Sequence, residues 1–257
     1  MWKKIIRKLI AAAAVFVIWV ILSRLAGKAF FPGPGETILS LRELILEGTL
    51  LKHLGASTFR ILMGTISGLL AAFPVGLAMG CSRRMDCYLG NVFRMLYPIP
   101  KVVFLPIIVV CMGIGDAPKI FLIALVIFFQ LALTIRDAVK HIPAEQICSM
   151  KALDPTTGQY LFHLVIPACM PEILSSLRGT LGISTALLFI TENFASITGL
   201  GYYITKCMDS RDFGDMYAGI LTLAVLGAVL YWLLGRLERW ICRWKMVETA
   251  IGKGEKV

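Results

Sequence analysis

Three stretches of the chain, 107–115, 120–134 and 180–191, contain no Asp, Glu, Lys or Arg. No other feature restricts the possible folds as much, because a helix at the surface of a water-soluble protein needs a polar face and these segments have none. The shortage of charge is general. Of 257 residues, 16% are charged and 58% hydrophobic, where a soluble domain carries roughly 25% charged residues. Mean hydropathy is +0.78. In water such a chain would expose large apolar patches, whereas in a bilayer the same surface faces lipid without penalty. The sequence is that of an integral membrane protein.

A hydrocarbon core about 30 Å thick takes roughly 20 apolar residues as helix. Five segments satisfy this directly, at about 5–26, 57–80, 119–138, 172–196 and 215–239. A sixth, at about 88–112, is interrupted by Pro98, Pro100 and Pro106 and holds Arg94 and Lys101. It is expected to span with a kink or a short interruption at Pro98-Ile-Pro100. The first segment follows Met1-Trp-Lys-Lys, as the core of a signal peptide would. Its apolar run continues from Ile5 to Leu25, with Ser23-Arg24 where a cleavage site would fall, so it is read as a retained anchor. Six spans leave both termini on one side. Placing that side in the cytoplasm assigns fifteen Lys and Arg to the inside and eight to the outside. This is the direction that the positive-inside rule requires.

The net charge of +10 does not point to nucleic acid, because the basic residues fall between apolar runs and not on one soluble face. Seven cysteines are scattered without a CxxC pair, and His53, His141 and His163 are the only histidines; no metal site is expected. There is no GxxxxGK[ST] phosphate loop, no HExxH and no paired-Asp motif, so the chain is not read as an enzyme. Gly64 and Gly68 form a GxxxG that permits close helix approach, expected within the subunit. Outside, the Phe31-Pro-Gly-Pro-Gly turn precedes 36–47, where Ile38, Leu41, Leu44 and Ile45 share a helical face. That segment reads as a short amphipathic helix on the outer surface.

The longest cytoplasmic connection, 139–171, is too polar to span and too patterned to be a linker. Ile147, Met150 and Leu153 can share one face of a short helix, and Asp154-Pro155 makes a turn. Thr156 or Thr157 can cap a second helix whose apolar face is Tyr160, Leu161 and Leu164. Two short helices at the membrane surface make a docking knob for a cytoplasmic partner.

This stretch resembles the signature loop of ABC importer permeases, E-A-A-x3-G-x9-I-x-L-P. Counting back from Pro167, the Glu-Ala-Ala position falls on Cys148-Ser149-Met150 and the glycine on Asp154, so the first half departs from the pattern. The second half, Leu161-Phe-His-Leu-Val-Ile-Pro-Ala-Cys-Met-Pro, is similar to it. So are Phe31-Pro-Gly-Pro, the segment 53–84, Pro98-Ile-Pro-Lys-Val-Val-Phe-Leu-Pro, Gly113-Ile-Gly-Asp-Ala-Pro-Lys and Gly199-Leu-Gly-Tyr-Tyr-Ile. Together they resemble the nitrate/sulfonate/taurine branch, which also includes transporters of thiamine precursors.

The resemblance implies an all-α membrane protein: a type I ABC importer transmembrane domain of six transmembrane helices with a cytoplasmic coupling helix. It divides into an N-terminal helix and external segment (1–56), the permease domain (57–241) and a cytoplasmic tail (242–257). The implied partners are a second copy of the subunit, cytoplasmic ABC ATPase subunits and an extracytoplasmic solute-binding protein. ATP and Mg belong to the ATPase, and this chain is expected to bind no cofactor. The implied setting is the bacterial inner membrane, and the cargo a small solute such as a sulfonate, nitrate, taurine or a thiamine precursor. Ser149, Met150, Lys151, Ala152, Leu153, Asp154, Pro155 and Thr156 are the residues expected to seat on the ATPase.

Pro98 and Pro100 are expected to form part of the translocation path or gate. Glu192 and Asn193, near the outer end of the fifth span, either line that path or sit at the interface reaching water. Arg94 and Lys101 either snorkel to the inner interface or attract an anionic solute, and Arg94 has contact with the coupling loop as a further alternative. Arg178 and Glu172 are read as structural, although six residues apart on one helix they pair poorly. The rival class is an ion-coupled secondary transporter or channel, which would use intramembrane acids and need no patterned docking loop.

Overall fold

In the computed structural model, residues 2–26 and 30–244 are described, so of the tail only 242–244 is among them. Every element among the described residues is helical. Four helices are long and apolar enough to cross a membrane: α3 (Thr49–Cys81), α6 (Ala117–Lys140), the continuous Thr157–Asn193 that ends in α9 (Ile166–Asn193), and α11 (Phe213–Ile241). One further pair of helices is long and apolar enough only when taken together. α4 (Arg83–Leu96) gives way to a 3-10 turn (Lys101–Phe104) and α5 (Leu105–Met112), with an 81° bend between the halves. α1 (Trp2–Ala26) contributes a shorter apolar stretch, Ala13–Leu25.

The chain divides into two compact units, Met1–Thr58 with Phe189–Leu226, and Phe59–Leu188 with Gly227–Val257. In the first, Ser23 donates to the Phe31 carbonyl at 2.9 Å, and the Trp19 indole donates to the Pro32 carbonyl at 3.3 Å. These bonds tie the end of α1 to the proline-glycine turn. α2 (Pro34–Leu46) is the amphipathic segment expected at 36–47. Pro34 stands at its start, where the missing N–H has no helical partner to lose, and the Glu36 carboxylate accepts the Gly33 N–H at 3.2 Å.

In the second unit α3 and α6 approach along a stripe of small residues. Gly64, Gly68, Ala72, Gly76 and Gly80 recur every four residues, as do Ile123, Ile127, Leu131, Ile135 and Val139 on α6. A Cβ built at Gly64, Gly68 or Gly76 would fall 2.6–2.8 Å from Ile123, Ile127 or Ile135. Four-residue ridges thus interlock on both helices, and the GxxxG packs within the chain over twice the length legible as Gly64 and Gly68.

The expected pair of short helices at 139–171 is realised only in its first member, α7 (Ala144–Lys151). The second, α8 (Thr157–Tyr160), continues through a π-helical turn (Leu161–Val165) into α9 without a break. Pro167 sits in the first turn of α9, directly after the wide π turn, which accommodates its lost N–H bond, and the helix also runs on through Pro171. One more element, α10 (Leu200–Asp209), lies between α9 and α11. Arg178 does not pair with Glu172. It reaches Glu238 on α11 at 3.0 Å and lies over the Tyr231 ring, a partner sixty residues away that no local spacing could indicate.

Candidate functional site

The residues expected to be functional gather at three places: the α7–α8 turn, the α4–α5 break and the α9–α10 corner.

At the α7–α8 turn, Ser149 donates to the Glu145 carbonyl at 2.8 Å, turning its hydroxyl back onto the helix. Lys151, Ala152, Asp154 and Thr156 are exposed, and Met150 and Pro155 are half-buried. Leu153 is 77% exposed at the apex. Asp154 has φ +47°, in the left-handed region. This is the position where the signature pattern carries glycine, and Asp is among the few side chains that enter that region readily. Here the departure from the pattern preserves the backbone shape that glycine would give. Of the two threonines able to cap the next helix, Thr156 does so. Its hydroxyl accepts the Gln159 N–H at 3.3 Å, and the Gln159 side chain accepts the Thr156 N–H at 2.9 Å. This capping box is written in the sequence as Thr156-Thr-Gly-Gln159, and the role of Gln159 was readable from that spacing.

At the α4–α5 break, Pro98 and Pro100 are both exposed, and Tyr97 donates to the Gln130 side chain at 2.9 Å. The Lys101 ammonium donates to the carbonyls of Leu96, Tyr97 and Ile99 at 2.7, 2.8 and 2.9 Å. It also lies 4.7 Å from the centre of the Phe129 ring. Phe129 packs with Phe93 at 4.9 Å between ring centres. Arg94 behaves differently: it donates to the Gly90 carbonyl and to Asn91, one turn back along its own helix.

At the α9–α10 corner, Glu192 is fully buried. Both its oxygens accept from the Ser57 hydroxyl at 2.8 and 2.9 Å, and one accepts the Gly201 N–H at 2.8 Å. The Leu200 N–H donates to Ser57, and the Gly199 N–H donates to His53 Nδ1. The open N–H groups of the first turn of α10 are thus taken by side chains of α3 and α9. Both glycines of Gly199-Leu-Gly201 are obligatory. Gly199 has φ +113°, and a Cβ on Gly201 would fall 2.7 Å from the Phe189 carbonyl oxygen. Asn193 is exposed and accepts from Thr205 at 2.7 Å. Tyr203 donates to Asp215 at 2.9 Å; burial and this bond hold its phenol above the ordinary range. So Glu192 is an internal tie and does not reach water. Ser57 was not singled out from sequence, and nothing there linked His53 or the Gly199-Leu-Gly201 motif to Glu192. α10 itself carried a signal, since Leu200, Tyr203, Ile204 and Cys207 are spaced along one face and buried.

No group of three or more His, Cys, Asp or Glu positioned to hold a metal occurs among the described residues. What the three sites offer is an exposed polar turn with an apolar apex, a sharp break between two helices and a tied corner.

Residues 64–243 match the family model described as binding-protein-dependent transport system inner membrane component. The chain is 30% identical over 239 residues to the taurine transport system permease protein TauC of Escherichia coli K12, covering 90% of this chain and 87% of that one. It is 30% identical over 242 residues to the putative aliphatic sulfonates transport permease protein SsuC of Bacillus subtilis 168, covering 92% and 87%. A nitrate import permease protein, NrtB of a Synechocystis strain, is 26% identical over 91% of this chain and 88% of its own. Among solved structures, the MetNI methionine ABC transporter in an inward-facing conformation superposes with a TM-score of 0.65 at 16% identity, covering 75% of this chain and 95% of that one. The fold is therefore that of ABC importer transmembrane domains, and the chain belongs to the family of binding-protein-dependent transport system inner membrane components.

Proposed function

We propose that this permease works as a homodimer in the bacterial inner membrane, with both termini in the cytoplasm, and imports a small solute delivered by an extracytoplasmic binding protein. The solute is a sulfonate, taurine, nitrate or a thiamine-precursor-like compound, by analogy with the relatives' named cargoes and the sequence resemblance. Two cytoplasmic ATPase subunits hydrolyse ATP with Mg, and this chain holds neither. Residues 149–156 seat on the ATPase, within a permease domain spanning 57–241. The solute path runs past Pro98 and Pro100 and, at the far end of α9, past Asn193, with Glu192 shaping that end from within.

The observation that carries this reading is the α7–α8 turn. Leu153, 77% exposed, stands on a backbone held by the Asp154 conformation and the Thr156–Gln159 capping box. An apolar side chain presented on a rigid polar turn fits a complementary groove better than it fits water. The test is co-purification of the chain with its ATPase. Met150→Glu together with Leu153→Glu is expected to abolish association while the permease still inserts in the membrane. Undiminished co-purification would refute the seating of this loop, and solute uptake driven by an ion gradient without the ATPase would refute the importer reading itself.

A further inference from the structure

The Lys101 ammonium is the feature least explained by coupling to an ATPase. It stands at the break of a membrane-crossing segment, where charge is expensive and basic residues are found facing cavities or partners. Among the described residues no acidic side chain pairs with it. Its company is the open carbonyl end of α4, three oxygens at 2.7–2.9 Å, and the face of Phe129 at 4.7 Å. Carbonyl dipoles and a ring quadrupole stabilise the ammonium, but they carry no net charge and leave its positive charge uncompensated. The neighbouring Pro98, Ile99 and Pro100 are exposed, so the break is open on one side, while Lys101 itself is half-buried. A half-buried, uncompensated cation beside an open backbone break is suited to a small oxyanion.

We infer that Lys101 at the α4–α5 break is a binding site for the acidic group of a small monovalent oxyanion, such as a sulfonate. The ligand class rests on the importer reading above; the site itself rests on the geometry. An ammonium has three hydrogens, and all three already have carbonyl partners. An arriving oxyanion takes one only when a carbonyl of Leu96, Tyr97 or Ile99 gives it up. Binding therefore loosens the end of α4 as it fills the site, and the anion and the shape of the break are coupled through a single nitrogen atom. Arg94 offers no equivalent, because its guanidinium is spent on Gly90 and Asn91 one turn back on its own helix.

The test uses the full-length permease assembled with its ATPase in lipid nanodiscs, and sodium methanesulfonate as the probe. Dimethyl sulfone, its neutral isostere, is the control ligand. The wild-type complex is expected to bind methanesulfonate saturably and dimethyl sulfone at least tenfold more weakly. Lys101→Met is expected to weaken methanesulfonate binding by roughly tenfold to a hundredfold, the range for loss of a charge-assisted hydrogen bond. Lys101→Arg should retain most of the affinity, and Arg84→Met, which removes an exposed cation from the far end of α4, should change nothing. Equal binding of the two probes, no saturable methanesulfonate binding by the wild type, or equal affinity in Lys101→Met would each overturn the inference. ATP-driven uptake measured on the same preparation fused into vesicles, with the solute-binding protein supplied, separates the two claims. Uptake that needs ATP but keeps its sulfonate-over-sulfone preference in Lys101→Met sinks only the Lys101 site. Uptake that ignores ATP sinks the importer reading whatever Lys101 binds.

Discussion

Replacing Gly68 with alanine adds one methyl group where the structure leaves no room for it. The new Cβ would stand 2.7 Å from the Ala124 carbonyl oxygen and 2.8 Å from Ile127 Cβ, where carbon atoms pack best at about 3.5–4.0 Å. Neither obstacle can swing aside. One is backbone, and the other is the branched carbon nearest the α6 backbone, which no rotamer change moves. The helices must part by about 1 Å, and overpacking of this kind destabilises by about 1–3 kcal/mol. The measurement is thermal unfolding of the full chain in one detergent, followed by loss of the monodisperse species. Gly55→Ala lies on the same helix with nothing within 4 Å of the added atom, and is expected to be neutral or stabilising by up to about 1 kcal/mol. Gly76→Ala, whose Cβ meets Ile135 at 2.6 Å, should behave as Gly68→Ala does. Combined, the two should destabilise by less than their sum, because the first has already opened the shared gap. Gly68→Ala as stable as the unaltered chain, or Gly55→Ala as damaging as Gly68→Ala, would refute the close packing of α3 on α6.

Two other perturbations read the remaining sites. Ser57→Ala deletes the hydroxyl that serves Glu192 and the Leu200 N–H at once; it should destabilise by about 1–3 kcal/mol and raise hydrogen exchange at the Leu200 and Gly201 amides, while exchange within α6 stays as it was. At the α7–α8 turn, Asp154→Gly should keep or lengthen the survival of the loop under limited proteolysis. Asp154→Val, forcing a β-branched residue to φ +47°, should shorten it, at a strain of about 1–3 kcal/mol.

Lipid made most of the architecture legible. A segment that must hide every backbone polar group in hydrocarbon has to be a long apolar helix, and the runs at 57–80, 119–138, 172–196 and 215–239 became α3, α6, α9 and α11. Proline chemistry located the break at 98–100. Apolarity says less about where helices end. α3 begins at Thr49, eight residues before the apolar run, and Thr157–Asn193 runs on through Pro167 and Pro171. Least visible were contacts between residues distant in sequence. Ser57 and Glu192 are 135 residues apart, and nothing at either position names the other. Gly199 and Gly201 were quoted as a motif, but only geometry separates their reasons, a backbone angle for one and a lack of space for the other. At the α7–α8 turn the pattern mattered more than the letters, since Asp154 takes up a left-handed conformation of the kind glycine favours without being glycine.

The α9–α10 corner has a consequence for how this end of the chain can move. Glu192 is fully buried, and the donors to its oxygens include the Ser57 hydroxyl and the Gly201 N–H. A small opening would separate the carboxyl group from its donors before water could replace them, and a buried polar group without partners is among the least favourable states a protein can hold. Intermediate openings are therefore the high ground. Opening of the corner is expected to be all or none, its donors either all engaged or all replaced by water. A transporter that must never leak gains from a part that refuses to stand ajar.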